Sequence, residues 1–462
     1  MSQEQILQII VELGKLRTEN ERLKEENAYL KFKLEEFNAK RYKNDKTPPP
    51  DAPGLNAGPP PAPKKRGAKF GHKGWFRKKP AKVDRVENVH LESCPHCGSI
   101  DITACKNKTI DEHIQEDIVL PVVEAVMFRH HEYYCKKCKK VVSGLGKGEL
   151  ANSYIGPKAK ALAAFMRYAV KISERDVKNL FEKAFNLTIV ASSITGFRDQ
   201  LKRAGSPLYN ALKESLKKGP VIYADETGWN VDGIKAWLWK FSNKKVCVSH
   251  IDISRGQKVV QEILGDNFAG VLIADFLSAY NKILTRAKQR CLVHLLRDLK
   301  KVLRYWHDDE EVVRYVARLK TIFENAIDLY KEYKDKPWDQ DYCDKRTAVQ
   351  ATLKDFAFPN PNKRVLGRFA KRLQRHKDEL FTFLFVKGVD YHNNHSEQQV
   401  RPDVILRKIT NGNRSAKGVQ CHNVIVSILQ TAKLNKIDPI GTLESVLLKE
   451  KQFPLLAALS PP

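Results

Sequence analysis

The chain has 462 residues, 42 % of them apolar, enough for two or three domains with cores of their own. Its 81 Lys and Arg against 54 Asp and Glu give a formal charge of +27. Such a charge repels itself unless a polyanion neutralises it, so nucleic acid is the first expected partner, with a ribosomal or membrane-surface role as the plainer alternative. No apolar run approaches the roughly 20 residues of a bilayer span, the N-terminus carries acids from its start, and nine cysteines are too few for a disulfide framework. These features speak against a membrane or secreted protein; a cytoplasmic, nucleoid-associated one is expected.

Residues 1–39 read as a coiled-coil dimerisation segment. Ile6, Leu13, Asn20, Asn27 and Leu34 fall on one heptad position, and Ile9, Leu16, Leu23, Leu30 and Phe37 on another three residues away, the a and d sites of a parallel homodimer. A single amphipathic helix packed on its own domain is the simpler reading. Residues 40–87 form a basic, Pro-rich linker that cannot bury enough apolar surface to order itself. Within it, Lys64, Lys65, Arg66, Lys73 and Arg77 are candidate phosphate contacts, and Trp75, with Phe70 and Phe76, can stack on bases or ribose.

Residues 88–148 hold two Cys-x-x-Cys knuckles, Cys94/Cys97 and Cys135/Cys138, separated by a strand–turn–strand pattern. Brought together by the hairpin, four thiolates suit a structural tetrahedral Zn2+ with no open position, a zinc ribbon; His96 and Cys105 are spare ligands. Residues 149–215 read as three helices, with Ser173 a cap for the second and Ser192 or Ser193 for the third. They are compatible with a helix-turn-helix-like DNA-binding unit, and equally with any small helical bundle.

From residue 216 the pattern is strand, strand, strand, helix, strand, helix, strand, the order of an RNase-H-like mixed sheet. It is expected to span 216–299, continue through a helical insertion at 300–385, and resume with C-terminal helices at 386–462. PVIYADETGW and GVLIADFLSAY are apolar runs read as strands ending at Asp225 and Asp275. If those strands are neighbours, the two carboxylates lie side by side and suit Mg2+ (or Mn2+), two ions about 3.5–4 Å apart. A third carboxylate from a later helix is offered by Glu397, with Glu226, Asp252, Asp298 and Asp390 as rivals. Asn393, Asn394, Arg401 and Arg407 beside it are candidate phosphate contacts. His294 and Arg297 are either DNA contacts near the site or a core histidine and a surface arginine.

Over nearly its whole length the sequence resembles transposases of the insertion-sequence 66 family. The resemblance runs through the leucine-rich coil, KKRGAKFGHKGW, the Cys94/Cys97/Cys135/Cys138 module, ADETGW, ADFLSAY and CLVHLLRDLKK. It is most specific in NNHSEQQVRP, RKITNGNRS and SILQTAKLNKIDPIGTLESVL; Phe276 and Leu292 depart from the family pattern. The resemblance implies an Asp225–Asp275–Glu397 triad holding two Mg2+ or Mn2+ ions and a structural Zn2+. It further implies inverted repeats and target DNA as substrates, with companion proteins of the element as further partners. The expectation is a multidomain α/β DDE transposase that cleaves and transfers DNA strands. The alternatives are a non-catalytic DNA-binding regulator derived from a transposase, or an RNase-H-like structure-selective nuclease.

Overall fold

A computed structural model describes residues 123–131, 133–135, 140–142, 144–356 and 364–459, with isolated positions at 12, 16, 19, 20, 23, 26, 27, 30 and 100. The linker contacts Lys64, Lys65, Arg66, Lys73, Trp75 and Arg77 lie outside the described residues, as do Cys94, Cys97, Cys138 and the side chain of Cys135. The chain divides into two compact units, Met1–Phe37 with Val122–Pro462, and Asn38–Pro121; the architecture that follows belongs to the first. The eight isolated positions between 12 and 30 are all helical, and Leu16, Leu23 and Leu30 are 62 %, 48 % and 55 % exposed in the single chain. A short antiparallel ladder joins β1 (Tyr133–Cys135) to β2 (Lys140–Val142).

Three helices follow. α1 (Pro157–Phe165) begins with Pro at its first position, where no N–H is needed, and runs on as a π-turn through Met166–Val170. α2 (Glu174–Ala184) is capped as expected: Ser173 Oγ accepts the Asp176 N–H at 3.1 Å. The expected cap of the next helix is corrected. α3 (Ala191–Lys217) has Val190, already extended, at its N-cap, so Ser192 and Ser193 fall inside the first turn.

The centre is a five-stranded sheet. β3 (Val221–Val231), β4 (Ile234–Ser242) and β5 (Cys247–Asp252) form an antiparallel meander; α4 (Gln257–Leu264) crosses to β6 (Asn267–Ala274), and β7 (Leu284–Arg290) follows. In space the order is β5-β4-β3-β6-β7, with β6 and β7 parallel to β3. One face is covered by α3 and α4, which bury Leu201, Leu212, Val260 and Ile263 against Ile222, Phe241 and Leu272. The other face packs Tyr223, Val271 and Ile273 on α5 (Leu292–Tyr305) and on α6 (Glu310–Tyr333), α7 (Gln340–Asp355), α8 (Arg364–His376) and α9 (Thr382–Phe385). Then come α10 (Asn394–Thr410), α11 (Ala416–Leu434), α12 (Pro439–Leu447) and α13 (Pro454–Leu459). Among the described residues no helix is long and apolar enough to cross a membrane.

Two features fix α10 and α11 on the sheet. β5 is an edge strand, with N–H groups that would otherwise be unpaired. Asn423, Ser427 and Thr431, one helical turn apart on α11, accept the N–H groups of Ile251 (3.0 Å), Ser249 (2.8 Å) and Cys247 (3.1 Å). Four helical residues rise about 6.0 Å and two strand residues about 6.6 Å, so the ladders stay in step. The second feature is a buried polar cluster. Lys240 of β4 reaches Asp403 of α10 at 2.9 Å, Gln430 at 2.7 Å and Ser249, while His422 meets the other Asp403 oxygen at 2.9 Å. Both partners of the ion pair are essentially inaccessible.

Burial alone would raise the Asp403 carboxyl, but the Lys240 ammonium and then His422 override it and bring it from 3.8 down to about 2. A carboxyl held below its unfolded value stabilises the fold above that value and loses the contribution as pH falls through the folded one. Asp403→Asn, which strands a buried ammonium, should lower denaturant stability by about 3–5 kcal/mol at neutral pH. The gap to the unmutated chain should narrow as pH falls from about 4 to about 2. Equal unfolding midpoints at neutral pH, followed by tryptophan fluorescence, would contradict this account.

Candidate active site

β3 does not end at Asp225 as its apolar run suggests. It continues six residues to Val231, paired with β4 and bridged at its end to Asn413, and Asp225 sits opposite Lys240 in mid-strand. What ends near Asp225 is the parallel pairing with β6, whose last partners are Tyr223 and Ile273. Two residues further along both strands come Asp225 and Asp275, the latter one residue past the end of β6. Side chains alternate along a strand, so both aspartates share the face of Tyr223 and Ile273, at the same level and on neighbouring strands.

The third acid arrives on α10. Asn393, at its N-cap, is wholly buried and donates through Nδ2 to the carbonyl of Ala224 at 2.7 Å, the residue before Asp225. Its backbone N–H donates to the Cys291 sulfur at 3.2 Å. These two bonds pin the helix start to β3 and to the β7–α5 junction. Glu397 lies in the first turn that follows, close enough to act electrostatically on Asp225. A helix N-terminus favours negative charge nearby, which lowers the cost of gathering acids there.

The electrostatics are those of clustered carboxylates. Burial raises the Asp225 carboxyl, Glu226 and Asp275 raise it further and Glu397 adds a smaller push, so that it stands at about 8. Its visible relief is one hydrogen bond from the Glu226 N–H at 3.0 Å; Asp275 likewise accepts the Leu277 N–H at 2.8 Å. Glu397 has one buried oxygen, Oε1, with no hydrogen-bond partner. Nearest to it are the His294 imidazole, with Nε2 at 3.8 Å, and the exposed guanidinium of Arg297 at 3.7 Å.

The rival carboxylates are otherwise engaged. Glu226 points to the opposite face, pairing with Arg255 at 2.8 Å and accepting from the Tyr280 hydroxyl at 2.9 Å. Asp390 accepts from Tyr223 at 2.6 Å and Tyr330 at 2.8 Å, Asp298 pairs with Arg372 at 2.9 Å, and Asp252 accepts the Ser254 N–H at 2.6 Å. Among the expected phosphate contacts, Asn394 and Arg401 are exposed. Asn393 is a buried brace, and Arg407 turns inward to Thr227 Oγ1 at 3.3 Å and to the Gly228 carbonyl. The sequence reading missed Lys240, Asp403 and His422, although a lysine between Trp239 and Phe241 was a visible signal.

Partly buried carboxylates gathered where two parallel strands of a mixed sheet part company define the molecule as an α/β protein with an acidic cluster at that edge. The family is then given by comparison. A family model described as "Transposase IS66 family" matches residues 152–421, more than half of the chain. The chain therefore belongs to the IS66 transposase family, and a transposase acts by cutting DNA. "Uncharacterized protein y4qI" of Sinorhizobium fredii (strain NBRC 101917 / NGR234) is 22 % identical over 413 residues, covering 80 % of this chain and 74 % of that one.

An acid held protonated up to about pH 8 must lose its proton before a cation can take its place. Mg2+ affinity of the DNA-free protein should therefore rise with pH and level off above about 8, with a proton released on binding at lower pH. Asp225→Asn should remove both effects, as read by calorimetry in two buffers of different ionisation heat. An affinity independent of pH across this range would refute the assignment.

Proposed function

We propose that this chain is a DDE transposase that hydrolyses a phosphodiester at the ends of its element and then uses the freed 3′-OH to attack target DNA. Asp225, Asp275 and Glu397 are the residues that act. The single observation that carries the reading is that Asp275 and Glu397, far from Asp225 in sequence, both act on its carboxyl in one partly buried place, while Glu226, which also raises it, is paired with Arg255 and the other rival acids are engaged elsewhere.

The donor set fits the cofactor. Carboxylate oxygens are hard ligands suited to Mg2+ or Mn2+, and the raised Asp225 carboxyl and orphaned Glu397 oxygen both call for positive charge. Two such ions, held by Asp225, Asp275 and Glu397, would activate the attacking oxygen and stabilise the leaving one. The chain supplies the rest. Asn393 holds Glu397 toward β3, and the exposed Arg297, Asn394 and Arg401 stand where a scissile phosphate would be met. One centre serves both steps, because hydrolysis and strand transfer are each an in-line displacement at phosphorus. The sheet order, an antiparallel triplet followed by two parallel strands, supports the RNase-H-like reading of this domain.

The front of the chain supplies binding in this reading. The helical trio reads DNA, the basic linker neutralises backbone, and Cys94, Cys97, Cys135 and Cys138 hold a structural Zn2+. The exposed Leu16, Leu23 and Leu30 at heptad spacing support a homodimer through the N-terminal helix, since a lone chain leaves that stripe in water. Inverted repeats and target DNA are the substrates, companion proteins of the element are further partners, and the nucleoid is the place of action.

Asp225→Asn should abolish Mg2+-dependent nicking of a labelled repeat-end duplex, a loss of at least about a thousandfold, while gel-shift affinity stays within about twofold. Undiminished nicking by the variant would remove Asp225 from the mechanism. DNA retention with no nicking by the unmutated chain, across metals and ends, would favour a regulator. Cleavage of branched DNA without strand transfer would favour a structure-selective nuclease.

A further inference from the structure

The segment that links β7 to α5 carries chemistry that phosphodiester cleavage does not use. Cys291 is fully buried, and its N–H donates to the Ala274 carbonyl at 2.9 Å, which sets it beside Asp275. Its sulfur accepts the Asn393 N–H at 3.2 Å and faces the N–H groups of Val293 and His294 at the start of α5. Such N–H···S bonds stabilise a metal-bound thiolate by orienting it and spreading its charge. One turn on, His294 presents Nε2 to Glu397 Oε1 at 3.8 Å, and that oxygen is buried with no hydrogen-bond partner. One donor atom from each of Cys291, His294 and Glu397 lies within 4.8 Å of the other two. In a tetrahedral zinc site with ordinary bond lengths, ligand atoms stand about 3.4–3.6 Å apart. From separations of up to 4.8 Å the three donors thus need to close by about 1.4 Å at most, and a fourth position stays open.

We propose that Cys291, His294 and Glu397 form a second, thiolate-containing site for a soft divalent cation of the Zn2+ class, which withdraws Glu397 from the Mg2+ site and so inhibits DNA cleavage. The inhibitory part rests on the triad reading; the site itself does not. Softness decides which ion goes where. Asp225 and Asp275 offer oxygen alone and favour Mg2+, whereas sulfur and imidazole beside Glu397 favour Zn2+. Glu397 is the ligand common to both, so the two occupancies exclude one another through a single side chain. This zinc is distinct from the four-cysteine ion, because it shares no residue with Cys94, Cys97, Cys135 or Cys138 and keeps an open position.

The test is made on the full chain without DNA. Protein is dialysed at a fixed free Zn2+ concentration and its metal content measured, and Co2+ is then substituted as a spectroscopic probe. The unmutated chain should hold one equivalent more than either Cys291→Ser or His294→Ala, whatever the cysteine knuckles contribute. Cys291→Ser should also lose part of the thiolate-to-cobalt charge-transfer absorption. Identical metal content and spectra in all three proteins overturn the site. On repeat-end DNA with Mg2+, added Zn2+ should suppress nicking by the unmutated chain. For Cys291→Ser the Zn2+ needed should rise by more than about a hundredfold, beyond what loss of an outer contact costs. Equal Zn2+ sensitivity of the two proteins overturns the inhibition. A chain that never nicks counts against the triad reading, and the metal count still decides the site.

Discussion

The position of Glu397 depends on a buried ion pair that never touches the reacting atoms. Asp403 lies six residues further along α10, about 9 Å up the helix axis, and its carboxylate is clamped by Lys240 of β4 and His422 of α11. Replacing such a pair by apolar groups often leaves stability unchanged, because desolvation offsets the Coulomb attraction. Its effect here is geometric. A helix on an apolar surface can slide or rotate at little cost, whereas one whose carboxylate must meet a buried ammonium has a single register. Asn393 adds the second anchor at the helix start, through the Ala224 carbonyl. Two fixed points on one rigid element determine where Glu397 falls between them.

Against that positional constraint stands an electrostatic one. The chain carries a large positive excess, yet its centre gathers Asp225, Asp275 and Glu397 with Glu226 just beneath. Glu226 is neutralised locally by Arg255, and Asp298 by Arg372. Beside Glu397 the Arg297 guanidinium stands at 3.7 Å and the His294 imidazole at 3.8 Å, both beyond a hydrogen bond. The Asp225 carboxyl therefore feels burial and its acidic neighbours more than any nearby cation. The surrounding basic surface then meets a phosphate backbone that could not otherwise approach a group of carboxylates.

The sheet was legible in the sequence because each strand is a short apolar run with turn residues at its ends. The position of Asp275 followed from the same signal. Asp225 was read as a strand end because the apolar run stops there, but the strand goes on with mostly half-buried residues, Trp229 excepted, and periodicity does not mark that change. Ser173 was readable as a cap because one hydroxyl and one N–H decide it; Ser192 and Ser193 were not, because Val190 already had the extended backbone that ends a turn. Glu397 was weak on sequence physics alone, since nothing local says that a glutamate on a polar helix faces inward. The Lys240–Asp403–His422 cluster joins three elements and is invisible to any window along the chain. Arg407, which looked like a phosphate ligand, instead binds a strand carbonyl.

More than a hundred residues separate Asp275 from Glu397, and the fold turns that length into support. A flexible connection would add only slowly to the entropy of bringing its ends together, but would leave those ends unrestrained. Here the intervening helices bury Phe323, Leu319, Phe383 and Leu384 in one core with Leu292, Leu295 and Leu299 of α5, and with Tyr223 and Ile273 of the sheet. The same packing delivers the chain to Tyr391, whose carbonyl accepts the Leu292 N–H at 2.9 Å just ahead of α10. α5, which carries His294 and Arg297, and α10, which carries Glu397, are therefore placed by one continuous core. The long insertion fixes Glu397 because its hydrophobic face is shared with β3 and β6, the strands that lead to Asp225 and Asp275.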